Sequence, residues 1–292
     1  MLDSKEYSLI LSPRHRLFDL HLQEAFRHRD LIFLFVKRDF VAAYKQTVFG
    51  PLWFFINPIL TTLIFTVIFG DLAGLPTLDA AGGAAIPGFL FYMAGNICWG
   101  LFSSTLTSSS NAFRSNAGLM SKVYYPRIIS PVASALSHLI TFGLQLAMFF
   151  VLYAFVFFTG RGELVFTWRV LMIPLIALQI MFLSVGCGIL ISSVTTKYRD
   201  LNMLVGLFVR FWQYATPIMY GLSLVSEKNS RLLKVYMLNP MTPIVTFFRY
   251  SAFGSGYFSL AYYLISWAIT LAVLLLGLIM FSRIERSFVD TI

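Results

Sequence analysis

Apolar residues along this chain gather in long runs that no charge interrupts, too long for the buried elements of a water-soluble domain. A helix needs about 20 apolar residues to cross a hydrocarbon core. The runs predict six crossings, within 46–70, 80–113, 128–160, 170–196, 201–226 and 250–282, the fifth interrupted by Arg210. One further apolar run, 235–248 (VYMLNPMTPIVTFF), is too short to span and is broken by Pro240 and Pro243. It suits a re-entrant or interfacial element, tolerated at membrane depth when buried in protein or lining a wet cavity.

Ahead of the first crossing the pattern changes. Ile32, Phe33, Val36, Phe40, Ala43 and Tyr44 share one face at 100° per residue, opposite Asp30, Lys37, Arg38 and Lys45. This predicts an amphipathic helix lying in the interface plane. It runs into the stretch RDFVAAYKQTVFGPLWFFINP, where Gly50 serves as hinge or helix cap and Pro51 suits the next first turn. Trp53 then falls at headgroup depth. Physics alone leaves two roles for the helix, a membrane anchor or a lever that transmits force from a cytoplasmic partner.

Composition agrees with the runs: 58% of the 292 residues are hydrophobic and 12% are charged, against about 25% charged in soluble domains. The net charge of +9 does not point to nucleic acid, because the basic residues cluster beside apolar runs. With six crossings, the short segments on the side of the termini hold 15 of the 22 Lys and Arg residues. The positive-inside rule therefore places both termini in the cytoplasm. Lys228, Arg231, Lys234 and Arg249 are the chief exceptions, and face headgroups or a polar exit in this reading. The first 30 residues are polar and mixed in charge, so no secretory signal peptide is predicted. Cys98 and Cys187 lie in apolar runs as packing residues.

The chemistry of an enzyme or pump is missing from the pattern. There is no G-x-x-x-x-G-K-[ST] phosphate loop, no carboxylate inside an apolar core, and no His/Cys cluster for metal. His138, the only histidine in a crossing, reads as a hydrogen-bonded packing residue. Arg210 stands among Phe208, Phe211, Trp212 and Tyr214. Such a group can bind sugar faces and phosphate oxygens, or the guanidinium can snorkel or bond a carbonyl.

Taken together, these residues resemble the ABC-2 type permeases that export O-antigen, capsule and teichoic-acid polysaccharides. Arg38, Asp39, Phe40, Tyr44, Lys45, Thr47, Phe49, Gly50, Trp53 and Pro58 match that family's opening pattern. Gly95 and Trp99, the loop from Asn116 to Pro131, Tyr198-Arg199-Asp200, Thr216 to Tyr220, Asn239-Pro240 and Arg249-Tyr250 follow in the family's order. The resemblance covers about residues 25–290. Ala42-Ala43 departs from it, standing where a basic residue is common.

The resemblance implies an all-α integral membrane fold. Residues 1–50 form a cytoplasmic region with an interface helix, 51–282 a six-helix transmembrane domain with re-entrant helices before the last span, and 283–292 a cytoplasmic tail. It implies a homodimer in the bacterial inner membrane, paired with two ATPase subunits that hold ATP and Mg²⁺, and no cofactor on this chain. Arg38, Asp39, Tyr44, Lys45, Lys122, Tyr125, Pro126 and Arg127 become candidates for ATPase coupling. Trp53, Phe54, Asn57, Phe208, Arg210, Phe211, Trp212 and Tyr214 become candidates for the channel and its lipid-linked polysaccharide. The alternatives are a permease of the same type for a smaller lipid or drug, and a membrane-embedded glycosyltransferase.

Overall fold

A computed structural model describes residues 28–75, 86–116, 118, 125–160, 167–195, 201–222, 224–225 and 230–289. Lys122 and Lys228 lie outside the described residues. Regular structure among the described residues is helical throughout. The elements are α1 (Arg29–Tyr44), α2 (Trp53–Phe65), α3 (Gly88–Ser110), α4 (Ala112–Ser115) and α5 (Ile129–Phe158). They continue with α6 (Ile173–Thr195), α7 (Leu201–Tyr214), α8 (Ser230–Leu238), α9 (Met241–Phe253) and α10 (Leu260–Val289). A tight turn at Gly50–Leu52 and a widened one at Thr66–Leu72 extend α2 at its two ends.

Among the described residues, five helical stretches are long and apolar enough to cross a membrane: Gly50–Leu72, Gly88–Ser110, Ile129–Phe158, Trp168–Thr195 and Leu260–Ser282. The fifth expected run does not form one continuous helix. α7 has 14 residues, about 21 Å at 1.5 Å per residue, and gives way to turns at 215–220. Pro217 is the local cause, since it has no N–H for the carbonyl four residues back.

α3 is the hub. In its apolar window 78% of residues are buried, against 6% for the Gly50–Leu72 stretch, and α2, α5, α6, α7 and α9 all pack on it. Glycine permits the closest approaches. A Cβ at Gly188 would fall 2.5 Å from Ser109 Cβ, and one at Gly277 would fall 2.8 Å from Gly186 O. Small residues at helix contacts let backbones meet where no hydrophobic drive exists between helices.

Paired contacts give each helix its direction. Thr62 meets Asn96 and Gly70 faces Tyr92, so α2 and α3 are antiparallel. Ser108 meets His138 and Gly100 faces Gln145, so α3 and α5 are antiparallel too. Gln179 bonds Ser266 and Gly186 abuts Leu274, so α6 and α10 run parallel. The chain between them, 196–259, must therefore return to the side from which α6 set out.

Polar side chains in the bundle settle backbone groups that the sequence leaves open. Pro58 denies the Phe54 carbonyl its helical partner, and Gln145 Nε2 on α5 donates to that oxygen at 3.4 Å. His138 Nε2 lies 2.9 Å from Ser108 Oγ, as the packing reading expects. Cys98 is buried, Cys187 half-buried, and both are free thiols.

Candidate coupling and channel sites

The first site lies where α1 meets the bundle. α1 buries Phe35 and Val36, with Leu31 and Ile32 partly buried beside them, on a core shared by α5, α6 and α10. Phe33, on the apolar face that the sequence assigns to the membrane interface, is 67% exposed. Phe35 sets its ring edge-on to Tyr125 at 5.5 Å, and Ser137 Oγ donates to Val36 O at 3.4 Å. Arg38 donates through Nε to Asp39 Oδ1 at 2.8 Å and through Nη2 to Asn116 Oδ1 at 3.3 Å. Its guanidinium also lies 4.5 Å from the Phe35 ring centroid. Thus the helix before the first span and the segment after α3 form one unit, joined by a ring contact and a forked cation.

Arg38 and Lys45 are exposed, whereas Asp39, Tyr44 and Arg127 are half-buried. Tyr125 and Pro126 are buried. The Tyr125 hydroxyl lies 3.4 Å from Ser130 Oγ and the Pro126 carbonyl accepts from Ile129 N at 3.0 Å. These two therefore shape the seat of the loop instead of presenting a surface.

The bend after α1 is braced by rings. Gln46 and Gly50 both take left-handed backbone, at φ 66° and 52°, a conformation that costs a side chain but not glycine. Across the bend, Phe54 stacks on Phe40 at 5.1 Å and meets Tyr44 edge-on at 6.4 Å. Trp53 pairs edge-on with Phe49 at 5.5 Å, and Asn57 is exposed.

The second site surrounds α7. Val205 and Val209 are buried and Trp212 is half-buried, its ring 4.9 Å from Phe102 of α3. Phe211 and Tyr214 on the outward face are each more than half exposed, with Arg210 exposed beside them. Phe208, also more than half exposed, borders that face and rests its ring 5.3 Å from that of Trp212, which anchors the helix.

From Phe211 to Ile218 each carbonyl in turn is accounted for. The Phe211 carbonyl accepts from Ala215 N, and the Gln213 carbonyl accepts from Thr216 N. Thr216 Oγ1 donates to Trp212 O at 2.9 Å, while Ile218 N turns back to Thr216 O at 2.7 Å. The Tyr214 carbonyl accepts from the hydroxyls of Tyr220 and Tyr236, each at 3.1 Å, and the two hydroxyls bond one another. Asn239 Nδ2 donates to Ala215 O at 2.9 Å, and its Oδ1 accepts from Trp212 Nε1 at 2.9 Å. Arg249 donates through Nη1 to Pro217 O at 2.6 Å and through Nη2 to Ile218 O at 2.9 Å.

Arg249 corrects the sequence reading most sharply. It is fully buried, not turned to headgroups or an exit. A guanidinium can lie there because carbonyl dipoles converge on it and the Phe91 ring centroid lies 3.5 Å away. Arg231 and Lys234 are exposed on α8. The joint between α8 and α9 is held in turn, since Ser266 Oγ donates to Pro240 O at 2.8 Å and Gln179 donates to Ser266. Sequence reasoning did not find this assembly. Its only visible signals were an amide and an arginine inside an apolar run.

A bundle of long apolar helices with a braced helix ahead of the first is the frame of an integral membrane protein. Residues 30–253 match the ABC-2 type transporter family, and the chain belongs to it. It is 28% identical over 263 residues to an O-antigen export system permease protein RfbA of Klebsiella pneumoniae, spanning 89% of this chain and 94% of that one. The RfbA permease of Myxococcus xanthus is 27% identical over 229 residues, spanning 78% of this chain and 82% of its own.

Proposed function

We propose that the chain is the permease subunit of an ATP-driven exporter that carries a lipid-linked polysaccharide of O-antigen type across the bacterial inner membrane. The observation that carries this is the outward face of α7. An arginine on the outer surface of a membrane bundle is costly against lipid and generally faces protein or water. Arg210, Phe211 and Tyr214 there offer rings for sugar faces and a fork for phosphate. The names of the similar proteins point to the same substrate class.

A second copy of the chain, set against α2 and α7, would enclose this face as a channel, with Asn57 and Phe208 on its wall. The parallel course of α6 and α10 supports a sixth crossing made by α7 and the turns after it, which leaves both termini in the cytoplasm. The α8–α9 joint lies beside Ser266, six residues into α10, about 9 Å along the helix. This supports a re-entrant pair on the outer side. Two ATPase subunits, holding ATP and Mg²⁺, would dock at the α1 unit, with Arg38, Lys45, Lys122 and Arg127 as candidate contacts.

Reconstitution with the partner ATPase tests the reading. The complex should hydrolyse ATP and move labelled lipid-linked polysaccharide into vesicles, and reversal of Arg38 to Glu should uncouple the two. Transport of a small lipid or drug without polysaccharide would overturn the substrate assignment.

A further inference from the structure

The break after α7 needs a fastener at its outer end. Thr216 and Pro217 interrupt the helix, so the carbonyls of Pro217 and Ile218 have no helical donors. Both are bonded by one side chain, through separate nitrogens of Arg249. Nη2 also reaches Phe91 O at 3.4 Å, so one guanidinium joins the break to the outer part of α3. Gly95, one turn further along α3, is the other half of the fit. A Cβ there would lie 3.0 Å from Arg249 Nη2 and 3.0 Å from Ile218 Cγ2.

We propose that Arg249 is a positioning residue for export: its forked bonds to two consecutive carbonyls fix the break, and through it the direction in which α7 presents Arg210, Phe211 and Tyr214. The proposal rests on the channel reading of α7. It explains why arginine and not lysine suits the position. A planar guanidinium supplies separate N–H groups to neighbouring oxygens, whereas an ammonium is a single compact charge on a flexible stem. It also explains the glycine at position 95, which leaves the space that the fork occupies.

The test uses the complex with its ATPase and spin labels at Met203→Cys on α7 and Val151→Cys on α5, both strongly exposed, in a Cys98→Ala, Cys187→Ala background. Arg249→Lys should assemble, broaden the Met203–Val151 distance distribution and lower export about tenfold, as the loss of one charge-assisted hydrogen bond implies. A control pair, Val151→Cys with Leu275→Cys on α10, should not move. Should Arg249→Lys fail to assemble, Gly95→Ala reaches the same latch while keeping the guanidinium and should broaden the same distance. The two substitutions together should cost less than the sum of their separate effects. Wild-type export by Arg249→Lys, or an unmoved α7 distance in both variants, would overturn the proposal. The distance needs no substrate, so it still tests the latch if the complex proves to export something else.

Discussion

Removing the Phe54 ring tests whether α1 is a lever or only an anchor. Phe54 holds the bend through two ring contacts, stacked on Phe40 at 5.1 Å and edge-on to Tyr44 at 6.4 Å. Such pairs contribute about 0.5–1.5 kcal/mol each beyond the area they bury, so Phe54→Ala should weaken the brace by about 1–3 kcal/mol. That range corresponds to a roughly 5- to 150-fold shift between braced and unbraced bends. Labels at Phe33→Cys on α1 and Leu60→Cys on α2 would report the angle, since both positions are well exposed. The Phe54→Ala distance distribution should broaden, export should fall and ATP hydrolysis should persist, while Phe54→Tyr should keep all three near wild type. An unchanged distance with normal export would refute the lever. An unchanged distance with impaired export would instead assign Phe54 to the channel.

Gly188→Ala drives a Cβ to within 2.5 Å of Ser109 Cβ and should destabilise the bundle by about 1–3 kcal/mol, read as a lower Tm in detergent. Gly143→Ala, with open space around the added atom, is the matched control and should leave Tm unchanged. Gly50→Ala puts a side chain on left-handed backbone at about 1–2 kcal/mol; export should drop and the Tm in detergent should fall by about 2–8 °C. Arg210→Leu should reduce polysaccharide export without loss of assembly on size-exclusion chromatography, and full export would remove the residue from the channel.

The crossings were legible because hydrocarbon thickness demands long runs, and a run of that length has few other uses. The rotation of α1 was not. Residues 32–36 read IFLFV, apolar all round for more than one turn, so periodicity selects no single face. Contact with Tyr125 and Ser137 chose the face that carries Phe35 and Val36. The break in the fifth segment could be suspected from Pro217, but its partners could not. Asn239 and Arg249 look like interruptions in an apolar run until their neighbours show which carbonyls they serve. The aromatic cluster of α7 was visible in the sequence, yet only the packing on Phe102 and the bond to Asn239 separate Trp212 from its neighbour Phe211.

The turns that follow α7 have a consequence for how the chain enters the membrane. The carbonyls of Ala215, Pro217 and Ile218 are satisfied by side chains that lie between 24 and 32 residues further along. At roughly 5–20 residues per second, a ribosome takes about 2–6 s to deliver the last of them. Until then the segment holds open carbonyls that lipid cannot satisfy, each costing several kcal/mol. The fifth segment therefore cannot partition into the bilayer on its own merits. Integration should wait for α8 and α9, so that the stretch from α7 to α9 enters the bilayer as one late step.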